Sequence, residues 1–122
     1  REKGNRAMSH NPAPAISQVR RFGDVAVVDV QGDIDLSRSV EFQQTLLRIL
    51  DEKPSRMVIN LEAVPYMDSS GVASLVKVLS RARRANTLLV LASLSPRVKN
   101  LLEITRLDSV FKISANEQDA LA

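Results

Sequence analysis

The sequence predicts an α/β domain: one small mixed β-sheet that starts with an N-terminal hairpin and continues by parallel crossovers, with helices packed on the sheet. Three observations predict it. Short β-branched runs alternate with longer stretches of helical apolar periodicity. The connections between them are short. The first two runs are separated only by Gly23-Asp24, with no room for a helix. Strands alternating with helices over short loops imply right-handed parallel crossovers, and the leading hairpin makes the sheet mixed.

Residues 1–15 carry two prolines and no apolar periodicity, so they read as a disordered tail ahead of a domain at 16–122. Met8 is a candidate start within that tail. Ile16 to Phe22 is a short strand, and Val25 to Gln31, rich in valine, pairs with it as a hairpin. Gly32-Asp33-Ile34-Asp35 ends the second strand, with Ser37 as a plausible cap. A helix then runs to about Glu52, carrying Phe42, Leu46, Ile49 and Leu50 on one face, with Pro54 beyond it. Met57 to Leu61 is a short apolar run, the mark of a strand covered on both faces. The second helix follows Asp68-Ser69-Ser70-Gly71, its stripe being Val72, Leu75, Val76 and Leu79. Asn86 is placed to end it in a left-handed conformation. Leu88 to Ala92 is another buried strand. Ser95-Pro96 supplies a cap and first-turn proline for a third helix with Val98, Leu101, Leu102 and Thr105 in its stripe. Val110 to Ile113 is a last strand, and Asn116 to Leu121 a terminal helix.

Composition narrows the chemistry. Aromatic residues are 3% of the chain, too few for the stacking platform of a single-strand nucleic-acid binder. There is no cysteine, and His10 is the only histidine, which excludes disulfides, thiolate metal sites and most histidine-based catalysis. No apolar run approaches the ~18 residues that span a bilayer. No apolar signal segment is evident, so a cytoplasmic domain without membrane insertion is expected. The net charge of +3 sits at one end: residues 1–21 hold five bases against one acid, while the rest holds 12 bases and 13 acids. Direct nucleic-acid binding is not expected from such a body.

Four glycines, at 4, 23, 32 and 71, are too sparse for a phosphate-cradling loop, and no nucleotide or other cofactor is expected. Ser69 and Ser70 lie on a strand-to-helix turn, but the surroundings are not Gly-x-Ser-x-Gly and no histidine is within reach to act as base. Asp33 and Asp35 form no metal set without a third ligand, and no metal is expected. Asp35 reads as a helix cap and Asp33 as a polar loop residue with a place in a binding surface. Lys77, Arg81, Arg83 and Arg84 read as a solvated helix face that suits the helix C-terminus.

Asp68-Ser69-Ser70-Gly71 carries two readings. The purely structural one makes Asp68 or Ser69 the N-cap and uses Gly71 to relieve crowding in the first turn. The functional one is a phosphoacceptor. A hydroxyl at a helix N-terminus is exposed, the dipole and free N–H groups tolerate a phosphate, and the base and ATP come from a kinase in trans.

Gly32-Asp33-Ile34-Asp35, the run Asn60 to Val72, Leu94 to Leu102 and Leu107 to Phe111 together resemble the STAS domain, most closely its anti-sigma factor antagonists (anti-anti-sigma factors). The resemblance covers residues 16 to 122 in order and spacing. It implies a non-enzymatic partner switch that controls transcription. The unphosphorylated protein binds an anti-sigma factor that is also a GHKL-type serine kinase. Phosphorylation of the serine after the motif aspartate, here Ser69, breaks the complex, and a PP2C-type phosphatase restores it. It also implies that Asp33, Asp68, Ser70 and Gly71 belong to the partner-binding surface. The chain departs from many relatives at Ala73 and at Ala85-Asn86, where they carry glycine. A second reading within the same resemblance is an accessory subunit of a transport complex, such as those of lipid ABC transporters, docking through the same surface.

Overall fold

The computed structural model describes residues 13–122. The elements run β1 (Ile16–Phe22), β2 (Val25–Gln31), α1 (Leu36–Leu50), β3 (Arg56–Ala63), α2 (Ser69–Arg84), β4 (Leu88–Ala92), α3 (Pro96–Ile104), β5 (Lys112–Ser114) and α4 (Glu117–Leu121). They form one five-stranded sheet in the order β1-β2-β3-β4-β5. The β1–β2 pair is antiparallel, and the three that follow are parallel. Gly23 takes the left-handed position that a two-residue hairpin loop demands, at φ 63°.

The strand order has a direct consequence. Each right-handed crossover steps the sheet in the same direction, so all three crossover helices land on one face. The main core lies there. Phe42 and Leu46 of α1, Leu75 and Val78 of α2, and Val98 and Leu102 of α3 pack on Val28, Ile59, Leu61 and Leu91 of the sheet, all fully buried. Because side chains alternate along a strand, Val27, Val58, Val90 and Ala92 point to the other face. That smaller cluster is closed by Ala120, with Leu121 against it. The expectation that the Met57–Leu61 strand is covered on both sides holds, but the second cover is only the five residues of α4.

A helix that short has little stability of its own. Arginines fasten it instead. Arg20 grips Asp29 with Nε and Nη2, each at 2.8 Å, and Glu117 through Nη1 (2.9 Å to Oε2) and Nη2. Arg56 Nη1 donates to the Ala120 carbonyl at 2.8 Å. Asn60 donates to Asp29 as well. The Arg20 guanidinium holds the Asp29 carboxyl below the usual carboxylate range, against the opposing effect of burial. Arg20 and Arg21, counted above with the basic N-terminal end, are therefore in ion pairs, Arg21 with Glu52 at 2.9 Å.

Some boundaries differ from the sequence reading. Of the two residues read as caps of α1, Asp35 is the cap and Ser37 is not, because the Asp35 carboxylate takes the Ser37 N–H. The third strand extends from Arg56 to Ala63, lengthened by pairing with β2 through Gln31↔Ala63. The last strand is Lys112–Ser114, since Val110 and Phe111 are used in a turn closed onto the Leu107 carbonyl. Thr105 caps α3 and is exposed rather than part of its stripe. Of the residues expected in the tail, 13–15 are described, and Ala15 is fully buried. Met8 and His10 lie outside the described residues.

Candidate docking site at two helix caps

The loops β2–α1 and β3–α2 emerge side by side from the C-terminal edge of the parallel strands. They are zipped together by a parallel bridge between Ile34 and Met67. Ile34 N–H donates to the Tyr66 carbonyl at 3.0 Å, and Asp68 N–H to the Ile34 carbonyl at 3.1 Å. The bridge sets Asp35 beside Asp68 in register, and each caps its helix in the same manner. Asp35 Oδ1 accepts from the Ser37 N–H (3.1 Å) and hydroxyl (2.6 Å). Asp68 Oδ1 accepts from the Ser70 N–H (2.9 Å) and hydroxyl (2.5 Å), and from the Gly71 N–H at 3.4 Å. Carboxylates at these positions satisfy otherwise orphaned N–H groups and complement the helix dipole. The Ser70 hydroxyl is the main cause that holds the Asp68 carboxyl below its ordinary range; burial pushes the other way.

The cap is thus Asp68, and the two serines behind it separate. Ser70 is half-buried and its hydroxyl is committed to Asp68. Ser69 is the first residue of α2 and exposed, and among the described residues its hydroxyl has no hydrogen-bond partner. Free N–H groups at this helix start, expected to welcome a phosphate, are in part taken: those of Ser70 and Gly71 point at Asp68. A phosphate on Ser69 would keep the dipole but face the Asp68 carboxylate, and so would stand out into solvent.

Gly71 is buried and does relieve crowding. A Cβ there would lie 2.5 Å from Met67 Cγ and 2.9 Å from Ile34 Cγ2. Its absence lets the first turn of α2 press onto the bridge that joins the two loops. Asp33 is exposed at the crest of the β2–α1 loop, after Gly32 at φ 75°. Asp33, Asp68, Ser69, Ser70 and Gly71 thus come together at one edge of the sheet, although Asp33 and Ser69 are far apart in sequence. Among the described residues no group of acids or histidine has the arrangement of a metal site, and no helix is long and apolar enough to cross a membrane.

The structure adds neighbours that the sequence reading did not name. Leu36, the α1 counterpart of Ser69, is 74% exposed, and Val40 one turn later is 60% exposed. Both lie off the Phe42–Leu46–Ile49–Leu50 stripe, a mismatch legible in the periodicity. Arg97, at the start of α3, stands 5.9 Å from the centroid of the Tyr66 ring. The basic face of α2 is in part internally neutralised, Arg81 pairing with Asp51 at 3.0 Å.

The family model of the STAS domain matches residues 17–120. The chain belongs to the STAS domain family. It is 30% identical over 92 residues to a STAS-domain containing protein of Pseudomonas aeruginosa, covering 75% of this chain and 90% of that one. It is 29% identical over 87 residues to the anti-sigma-B factor antagonist of Staphylococcus aureus, covering 71% and 81%. The crystal structure of an anti-sigma factor antagonist from Mycobacterium paratuberculosis superposes with a TM-score of 0.75 at 26% identity, over 85% of this chain and 88% of that one. Where many STAS relatives were expected to carry glycine after the second helix, this chain has Asn86 at φ 59°. Thr87 N–H returns to the Ala82 carbonyl at 2.9 Å, so asparagine serves the same left-handed termination. Ala73, the other departure, is an exposed residue of α2.

Proposed function

We propose that this STAS domain is an anti-sigma factor antagonist: a cytoplasmic, non-catalytic binding module in a partner-switching pathway that regulates transcription, with Ser69 as its phosphoacceptor. The single observation that carries the reading is the division of labour between the two serines. Ser70 is tied to Asp68, while Ser69 is exposed at the start of α2 with its hydroxyl free among the described residues. Asp33, Asp68, Ser70 and Gly71 build the docking edge around it. The partner is an anti-sigma factor with GHKL-type serine kinase activity, and a PP2C-type phosphatase removes the phosphate.

The physical switch is charge. Phosphorylation adds about −1.5 to −2 at the centre of the docking edge. A dianion desolvated against a partner, or facing its acidic groups, opposes association by several kcal/mol. The fold needs no rearrangement for this, because the Ser69 side chain supports nothing else.

The test is incubation with ATP and the kinase captured from the source cell, with phosphate localised by mass spectrometry. Phosphate on Ser69 is expected, and it should persist in Ser70→Ala. Ser69→Asp should weaken the complex by about 100-fold or more. Modification at Ser70 alone, or unchanged affinity in Ser69→Asp, rules the reading out. Capture of an ATPase transport subunit in place of a kinase turns the assignment to the transport-complex reading.

A further inference from the structure

Arg38 is the residue on the docking edge that cap chemistry does not explain. It lies in the first turn of α1, in the position equivalent to Gly71 of α2, and among the described residues it makes no salt bridge. Its guanidinium is spent on backbone carbonyls. Nη1 donates to Asp33 at 2.9 Å, and Nη2 donates to Ala13 at 2.9 Å and Gln31 at 3.2 Å. A rigid planar fork reaches three acceptors where a lysine ammonium would act as a compact point charge.

The surroundings are built for this clamp. Gly32, beneath it, stands at φ 75°, and a Cβ there would meet Arg38 Nη1 at 2.5 Å, so the loop is glycine for space as well as for conformation. On the far side the segment entering β1 is held by three further contacts. The Gln31 side chain donates to the Pro14 carbonyl at 3.0 Å, Gln31 N–H donates to the Ala15 carbonyl at 2.8 Å, and Ala15 N–H donates to Glu41 Oε1 at 3.2 Å. A continuous chain of bonds therefore runs from residues 13–15 through Arg38 to the Asp33 loop. From there it passes through Ile34 to Tyr66 and Asp68, the residue before Ser69.

We propose that Arg38 is the positioning residue of the docking edge, clamping the Asp33 loop to the segment that enters β1 so that the two are ordered together. The inference rests on the docking reading for its purpose and on the hydrogen bonds alone for its mechanics. Gln31 ties the segment to the end of β2, and Arg38 is the side chain that carries the link past it to the Asp33 carbonyl.

Amide hydrogen exchange on the full chain tests this without any partner. Gly32 and Ile34 report on the loop, Ala15 on the segment, and Val28 and Ile59 on the sheet. In Arg38→Ala, exchange at Gly32 and Ile34 should rise about tenfold or more, with Val28 and Ile59 unchanged. Arg38→Lys, which keeps the charge and stem and protects against a trivial folding failure, should show the same local rise. Glu41→Ala, which frees the Ala15 N–H while its carbonyl stays on Gln31, should speed Gly32 and Ile34 exchange in the natural background and have a smaller effect in Arg38→Ala. Unchanged loop exchange in Arg38→Lys overturns the proposal. So does a uniform rise across the sheet, or additivity of Glu41→Ala with Arg38→Ala. A chain that behaves as expected here yet never takes phosphate on Ser69 would refute the docking reading alone.

Discussion

The two capped turns of this STAS domain are alike in backbone and differ in what they leave over. Each has an aspartate N-cap whose Oδ1 takes the N–H and hydroxyl of the serine two residues on, and the Ile34–Met67 bridge holds them in register. In the first turn the intervening residue is Leu36 and the residue after the serine is Arg38. In the second they are Ser69 and Gly71. The capping chemistry is thus shared, and the difference lies in the two positions that capping does not use. One turn presents an apolar side chain and is steadied by its own Arg38 guanidinium, which reaches back to the loop carbonyls. The other presents a hydroxyl and is steadied by close packing, since a hydrogen in place of a Cβ lets α2 rest on Met67 and Ile34.

The comparison breaks first at Gly71. Gly71→Val should destabilise the fold by about 2 kcal/mol through overpacking against Met67 and Ile34, read from the urea midpoint. Gly71→Ala should still lose stability, although alanine returns about 1 kcal/mol of helix propensity. Next come the caps themselves. Asp68→Ala should cost about 1–2 kcal/mol and Asp35→Ala about 0.5–1 kcal/mol, because Asp68 holds the Gly71 N–H in addition to the pair of bonds that both caps share.

Acid sharpens the same contrast. The folded Asp68 carboxyl is depressed, so its contribution is complete above the unfolded aspartate value of about 3.9 and is lost as pH falls through the folded value. The stability gap between the natural chain and Asp68→Ala should therefore be flat from neutrality to about pH 5 and close below about pH 4, as equilibrium unfolding at each pH would show. The smallest effect separates the serines. Ser69→Ala should change stability by no more than about 0.5 kcal/mol, while Ser70→Ala should cost about 1 kcal/mol by removing a bond to a carboxylate. Equal costs would mean that Ser69 has a structural duty.

Much of the fold was legible because its signals are local. The bounds of β1, β2 and β4 follow from short apolar or β-branched runs and their flanking turn residues. The left-handed Asn86 and the Ser95-Pro96 start of α3 follow from end-of-helix chemistry. The motif located the Ser69 turn, and the resemblance to the STAS domain put Asp33 on the same surface. What local pattern did not reveal were choices decided by contacts distant in sequence. Asp68 and Ser69 were equivalent candidates for the cap until the bridge to Ile34 fixed the turn. Arg38 drew no notice in the sequence, since its three carbonyl partners are set by the path of residues 13–15 and the β2–α1 loop. Arg20 read as part of a basic end, yet it joins β1 to α4 across 97 residues. Val110 and Phe111 have strand-like composition, but the buried Phe111 ring and the turn at Leu107 claim them first.

The unbroken strand order has one further meaning. In open α/β sheets, small-molecule crevices form where the order reverses and neighbouring crossovers depart to opposite faces, parting the loops between them. A sheet laid down as β1-β2-β3-β4-β5 has no such reversal. Its loops lean together, and here two of them are hydrogen-bonded into a ledge. Between these two loops the Ile34–Met67 bridge therefore stands where a switch point would leave a parted crevice.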